Sequence, residues 1–248
     1  MNLTTNGLEK LYTGKTKDVY AYNDNQVLLY TKDETTGWWK KNADGEKYFT
    51  EDPGGNEIGP AVEGMGKKNL YSSEYYFAKF HEAGLPTHYV ASDSENNLML
   101  VDKATPIGNG LECIVRNFAF GSFLRRFPEY TAGQVLTDFF ETTLKDDQGG
   151  DPPISKEELV EKGVLTADQY EEIRDLSAKA AKILQEDLEK VGLTLVDVKF
   201  EIGSVNGKLV LIDEVSAGIM RVAKGEITSE NILNEEELAE VLVQRAGK

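Results

Sequence analysis

Residues 193–221, LTLVDVKFEIGSVNGKLVLIDEVSAGIMR, decide how the chain is read. Two strand-like runs flank Asn206-Gly207, and Asn-Gly between apolar runs is a hairpin signal. Side chains alternate across a strand. Val196, Val198 and Phe200 therefore share one face, and Asp197, Lys199 and Glu201 the other. In the returning strand Leu209, Leu211 and Asp213 share a face, opposite Val210, Ile212 and Glu214. Charges are uncommon inside such strands unless paired or bound to a metal. Acids and a lysine converging on one face suit a hard cation such as Mg²⁺ with a phosphate. Register controls the convergence. A strict two-residue turn pairs Phe200 with Asp213 and sends Glu201 to the other face, so bringing Glu201 and Asp213 together requires an odd loop or a bulge. An ordinary hairpin with one solvated face accounts for the same charges equally well.

The segments around this hairpin supply scaffold on one side and chemistry on the other. Upstream, Ser155 with Glu158 forms a capping box, and Thr166 caps a long helix with Ile173, Leu176, Ala180, Ile183, Leu184 and Leu188 on one face, ended by Gly192. Downstream, Ser229 and Asn234 read as caps, the latter before an acidic amphipathic helix that closes the domain. Residues 111–127, LECIVRNFAFGSFLRRF, begin as an apolar strand and break at Arg116-Asn117, with Gly121-Ser122 and Arg125-Arg126 following. Backbone N–H groups, a hydroxyl and guanidinium forks are an anion-site arrangement. The apolar neighbours of Arg116 weigh against simple surface arginines. Residues 139–154 end in a polar loop with Lys145, Asp146, Asp147 and Asp151, acids that are solvated, cap a helix or approach a metal.

Residues 11–37 read as strand, turn, strand. Gly14-Lys15-Thr16 is not a P-loop, because Glu9 stands where that motif needs its first glycine. Instead Lys15 and Lys17 alternate onto one face of a glycine-containing strand, where two lysines either cover nucleotide phosphates or decorate a solvated edge. Residues 38–66 are rich in Gly, Asn, Asp and Pro and read as a long loop with a small hairpin at Asp44-Gly45. Trp38 and Trp39 read as pinning that loop to the body rather than clamping a substrate. Residues 68–83 have a helical apolar pattern with His81 at the exposed end, and two strands follow around Glu95-Asn96-Asn97.

Composition narrows the function class. With 248 residues the chain is one large domain or two small lobes. A net charge of −16 and a pI near 4.6 argue against non-specific nucleic-acid binding, but lysine and arginine clusters can still hold a small anion. No apolar run is long enough for a membrane span, and the start lacks a signal-peptide pattern. The single Cys113 fits a reducing cytoplasm and reads as buried and inert. With His81 and His88 the only histidines, no Cys/His zinc pattern exists.

In order along the chain, GKTKDVY, GLPTHYV, ECIVRNFAFGSFLRR, LKDDQGGDPPI, LVDVKFEIG and LIDEVS with Arg221 resemble the SAICAR synthetase (phosphoribosylaminoimidazole-succinocarboxamide synthase) family, from about Leu11 to Arg221. The resemblance implies an α+β, two-lobed fold of antiparallel sheets with packed helices, lobes at 1–103 and 104–248, and an ATP cleft between them. It implies an ATP- and Mg²⁺-dependent ligase joining carboxyaminoimidazole ribotide (CAIR) to L-aspartate, with Lys15, Lys199, Glu201 and Asp213 catalytic. Lys15, Lys17, Val101, Lys103, Glu201 and Asp213 would bind the nucleotide, and Glu201 and Asp213 the metal. Arg116, Ser122, Asp197 and Arg221 would bind the imidazole ribotide and its phosphate. Asp33 falls where the family has an acid after its second strand, and Asp102 beside the inter-lobe connection. The family commonly self-associates, which leaves a homo-oligomer open. Ser216-Ala217-Gly218 departs from the family's usual Ser-Pro-Asp, so a carboxylate beside the substrate site is missing. Residues 38–62 look longer, and the segment after Arg221 shorter, than in many members. A ligase or kinase-like enzyme acting on a different amine or carboxylate is the alternative these departures leave.

Overall fold

Hairpins between consecutive strands, joined by longer-range pairings, build three antiparallel sheets. The computed structural model describes residues 2–53, 55–146 and 151–248. The elements, in chain order, are β1 (Lys10–Thr13), β2 (Lys17–Ala21), β3 (Gln26–Thr31), β4 (Glu34–Lys41), β5 (Lys47–Glu51), β6 (Glu57–Ala61), α1 (Met65–Glu82), β7 (Tyr89–Asp93), β8 (Leu98–Asp102), β9 (Thr105–Phe118), α2 (Ser122–Arg126), β10 (Val135–Leu144), β11 (Pro153–Ile154), α3 (Lys156–Glu161), α4 (Ala167–Glu189), β12 (Thr194–Val205), β13 (Lys208–Ile212), β14 (Met220–Ala223) and α5 (Glu235–Arg245). The first sheet has the order β1-β2-β3-β8-β7, the second β5-β4-β6, and the third β11-β10-β9-β12-β13. The longer-range pairings are β3–β8, β4–β6, β9–β12 and β12–β14. β14 shares the outer edge of β12 with β13, pairing its first half while β13 pairs its second. The fold is α+β, as the sequence implies.

The hairpin at 206–207 uses the strict two-residue turn. Asn206 and Gly207 both have positive φ, 52° and 81°, which the type I′ turn demands. Val205 pairs Lys208 and Glu201 pairs Ile212, so neither an odd loop nor a bulge intervenes. The two acids come together by another route. β13 stops at Ile212, and Asp213 takes φ 69°. A left-handed residue breaks the strand's alternation, and Asp213 turns into the same cavity as Glu201.

Other expectations are corrected. Gly14-Lys15-Thr16 is a turn between β1 and β2, closed by Gly14 N–H donating to the Lys17 carbonyl at 2.7 Å, and not a continuous strand. Residues 38–66 are no long loop. About half of them belong to β4, β5 and β6, a sheet whose glycines and prolines hid its alternation. Trp39 closes that sheet edge-on to Phe49, its Nε1 donating to the Ile58 carbonyl at 3.2 Å. Ser229 starts no helix, whereas Ser155, Thr166 and Asn234 all cap with reciprocal boxes.

One apolar cluster runs through the molecule, from Val27, Leu29, Phe77 and Phe80 to Leu184, Leu188, Phe200 and Leu242. It joins the first and third sheets through α1, α4 and α5. α1 approaches the first sheet closely at Gly66, where an added Cβ would lie 2.7 Å from the Thr31 and Lys32 carbonyls. Asp33 caps this helix from outside, accepting from Gly64 and Gly66 N–H at 3.1 and 2.9 Å. The segment before β7 is stitched to β13: Leu211 N–H donates to Pro86 and His88 N–H to Leu211, both at 3.0 Å. That stitch places His88 beneath Asp213.

Candidate active site

Two cavities lie side by side against the third sheet, one facing the first sheet and the other facing Trp38 of β4 with Asp52 and Pro53. The first, about 370 Å³, is lined by the Gly14–Lys17 turn on one side and by Lys145, Lys199, Glu201, Asp213 and Glu214 on the other. Lys17 is buried and forms ion pairs with Glu214 and, at 3.3 Å, with Asp213. Burial works against its charge, but Asp213 and Glu214 hold it protonated well above the usual lysine value. Lys145 reaches Glu201 at 2.5 Å. Burial and the charge of Asp213 push the Glu201 carboxyl up. Burial acts on Asp213 the same way, yet Lys17 and Lys145 outweigh it and hold that carboxyl below the usual range. His88 Nε2 lies 3.2 Å from the Asp213 carbonyl, which only accepts, so this nitrogen carries the proton. Burial lowers the His88 pKa to about 4, leaving a neutral donor that holds the left-handed Asp213 in place. Lys15 Nζ donates to Asn56 at 3.0 Å, and Asn56 in turn to Asp151 at 2.9 Å.

The second cavity, about 250 Å³, is built from the Arg116 region. Strand pairing sets Asp197 between Arg116 of β9 and Arg221 of β14. Arg116, only 3 % exposed, donates to Asp197 at 2.6 Å, Glu141 at 2.7 Å and Ser122 Oγ at 3.1 Å. Arg221 donates to both Asp197 oxygens at 2.9 and 3.0 Å and to Asp52 at 2.5 Å. Arg126 reaches Glu141 at 2.5 Å. Fixed guanidinium planes with a hydroxyl between them are a preorganised cradle for an anionic ligand.

The cavities share walls. Glu112, Asp151, Lys199, Pro53 and Ile219 line both. Lys199 Nζ donates to Glu112 at 2.7 Å, and Thr143 Oγ1 holds the other Glu112 oxygen at 2.7 Å. Burial opposes the Lys199 charge, but Glu112 and Glu201 raise its pKa overall. A cation at this junction can neutralise charge passing from one cavity to the other.

The structure thus brings together Lys15, Lys17, Lys199, Glu201 and Asp213 in one cavity and Arg116, Ser122, Asp197 and Arg221 in the next. It does not bring Val101 or Lys103 to either: Val101 is a core residue paired with Val27, and Lys103 is exposed. Asp102 binds Gln26 instead, at 3.1 Å. Asp33 is engaged at the start of α1. Trp38 and Trp39, both expected to pin their segment to the body, act otherwise: Trp38 lines the second cavity, and the exposed Trp39 packs within its own sheet on Phe49 and the Ile58 carbonyl. Cys113 is fully buried, with its thiol pushed up by burial. Asp147 lies outside the described residues. Among the described residues no three His, Cys, Asp or Glu side chains form a metal-holding group. Glu112, Glu141, Lys145, Glu214 and Asp52 escaped the sequence reading as site residues. The first two sit on strands next to Cys113 and Phe140, and only the pairing of β9 with β10 and β12 shows which face they take.

The SAICAR synthetase family model matches residues 56–236. A phosphoribosylaminoimidazole-succinocarboxamide synthase of Clostridium tetani is 42 % identical over 217 residues, covering 86 % of this chain and 92 % of that protein. The crystal structure of the enzyme of that name from Ehrlichia chaffeensis superposes with a TM-score of 0.80 at 26 % identity, covering 96 % of this chain and 98 % of the other. A type-2 SAICAR synthetase structure in complex with ADP superposes with a TM-score of 0.77 at 26 % identity, covering 96 % and 97 %. With the family model matching residues 56–236 and a relative 42 % identical over 86 % of its length, this chain belongs to the SAICAR synthetase family.

Proposed function

We propose that this chain joins CAIR to L-aspartate at the expense of ATP, releasing SAICAR, ADP and phosphate in purine biosynthesis, and that it works in the cytoplasm with Mg²⁺. The observation that carries the reading is the shared wall: Lys199 and Glu112 belong to both cavities. The nucleotide phosphates occupy the first cavity under Lys15 and Lys17, and the ribotide the second, against Arg116, Ser122 and Arg221. The lobes at 1–103 and 104–248 meet along this line.

A carboxylate resists attack by an amine until one oxygen becomes a leaving group. The γ-phosphoryl group passes to a CAIR carboxylate oxygen, and the bond to ADP breaks. The neutral amine nitrogen then attacks the acyl carbon, phosphate departs with the C–O bonding electrons, and the nitrogen sheds its surplus proton to the departing phosphate or to solvent. Such transfer needs alignment and charge neutralisation more than covalent help. Lys17 and Lys145 are spare cations once phosphate oxygens displace their carboxylate partners, and Lys199 lies between donor and acceptor. Arg116 and Arg221, locked by Asp197, hold the acceptor still. Mg²⁺ suits Glu201 and Asp213, two half-buried carboxylates facing one cavity, since magnesium takes one or two carboxylates plus phosphate oxygens. Bound there it would neutralise charge on the phosphates.

The test is ADP release by purified protein with ATP, Mg²⁺ and CAIR, with and without L-aspartate. Aspartate-dependent release with matching SAICAR is expected. ATP binding without that dependence would leave a ligase for another amine, the reading that Gly218 favours.

A further inference from the structure

One carboxylate at the cavity edge has no part in the scheme so far. Glu235 begins α5, fixed by the Asn234–Glu237 capping box and by its own N–H donating to Glu51 at 2.9 Å. Its side chain turns back to line the first cavity with Lys17, Glu214 and Asn69. It also lines a neighbouring groove of about 770 Å³ with Asp52, Gly218 and Arg221. Glu235 therefore stands between the nucleotide side and the Arg221 side.

Gly218 faces it directly. A Cβ built at 218 would lie 3.0 Å from Glu235 Oε1. Space that a side chain at 218 would enter is thus held by a carboxylate from a different element. Asn69 Nδ2 donates to the same oxygen at 3.3 Å. Asn69 is only 6 % exposed, lines the cavity, and its buried Oδ1 accepts no hydrogen bond. Among the described residues no Lys or Arg forms an ion pair with Glu235. Buried acceptors are unfavourable until a donor reaches them. Burial, with Glu214 and Glu51 adding repulsion, pushes the Glu235 carboxyl up to about 7, although Asn69 and Lys17 pull the other way. Such an acid gains from a cation brought by the ligand. A primary ammonium, with several N–H donors and no acceptor, suits an anionic and a neutral acceptor set side by side.

We propose that Glu235, with the Asn69 carboxamide oxygen, receives the amino group of the amine that is ligated, in the place a carboxylate at position 218 would otherwise take. The inference rests on the ligase reading above. It explains how the chain dispenses with an acid at Gly218, since the charge arrives from α5. Glu235 is then a substrate-contacting residue for the amine alone.

The experiment measures KM for L-aspartate, ATP and CAIR, with melting temperature, in wild type, E235Q and E235Q/G218D. E235Q keeps the size and the Asn69 bond but loses the charge. It should raise the L-aspartate KM roughly 10-fold, as expected for loss of a charge-assisted contact, and leave the ATP KM and the melting temperature near wild type. Adding G218D should restore much of the aspartate affinity. The backbone at 218 is outside the left-handed region, and the atom it would crowd is a side-chain tip. An unchanged aspartate KM in E235Q overturns the inference, as does a parallel rise in all three KM values or a double variant no better than E235Q. If E235Q folds poorly, E235D takes its place, with a several-fold rise expected and no change overturning the inference. A wild type without aspartate-dependent turnover defeats the ligase reading itself and the inference with it. A turning-over wild type beside an indifferent E235Q defeats the inference alone.

Discussion

Asp213 shows how one backbone angle assembles a site. In a continued strand it would face away from Glu201; at φ 69° it shares Glu201's cavity and pairs with Lys17. Aspartate visits this region more readily than most residues, but no neighbour in the sequence announces it. The family motifs therefore named both acids as one metal pair, while the backbone route to their meeting was not legible, because pleat alternation across a two-residue turn argued against it. The angle is held by the neutral His88 ring on the Asp213 carbonyl, a contact between residues 125 apart that no local pattern encodes. Asp213→Asn keeps the shape and leaves Lys17 its Glu214 partner. Turnover should fall roughly 10²-fold or more, as for loss of a preorganised charge at the reacting phosphate. The melting temperature should stay within about 4 °C, the equivalent of about 1 kcal/mol in a chain this size. Steady-state kinetics beside a melting curve checks both. A large drop in stability with normal turnover would make Asp213 a structural residue.

Among the elements, α1, α4 and α5 are tied at one buried acid. Asp187 of α4 accepts from Arg245 of α5 at 2.7 Å and from Tyr75 of α1 at 3.1 Å, with Lys79 at 3.5 Å. Burial raises its pKa, but Arg245, Lys79 and Tyr75 outweigh burial and hold the carboxyl below the usual range. The sign follows directly. The unfolded chain protonates first, so the stabilisation is complete above about pH 4 and is lost as pH falls through the lower folded value. Asp187→Asn should cost about 3 kcal/mol at pH 7, as for breaking a buried pair, and the difference from wild type should shrink below about pH 4. Urea unfolding at pH 7 and pH 3 measures it. The helices themselves were readable from Ser155, Thr166 and Asn234 and from the apolar stripe of α4. Their mutual tie was not, because Asp187 looks in sequence like any solvated helix acid. The β4–β6 sheet was missed for a different reason: Gly37, Gly55 and Gly59 sit where strands approach each other closely, with added Cβ atoms meeting neighbours at 2.1–2.3 Å, and such glycines read locally as loop.

Across the whole molecule, the first and third sheets share one core, and the third sheet faces two adjoining cavities, one closed by the first sheet and one by Trp38 and Asp52. Ordered motifs in the sequence specified the α+β family and both lysine and arginine clusters; only the fold showed that Lys199 and Glu112 belong to both cavities. Ligands bridging the sheets should stabilise the chain as a unit. ATP with Mg²⁺ at about 100 times its dissociation constant contributes about 2.7 kcal/mol, a rise in melting temperature of roughly 5–10 °C for a chain of this length. Differential scanning fluorimetry should show it for wild type and much less for Lys17→Met. The central claim is that phosphate is transferred across the shared wall to a carboxylate oxygen before the amine attacks. Its most direct measurement uses CAIR labelled with ¹⁸O in the carboxylate, with mass analysis of the phosphate released during aspartate-dependent turnover. One ¹⁸O atom is expected in each phosphate formed from fully labelled substrate. Phosphate free of label, with SAICAR still produced, would contradict it.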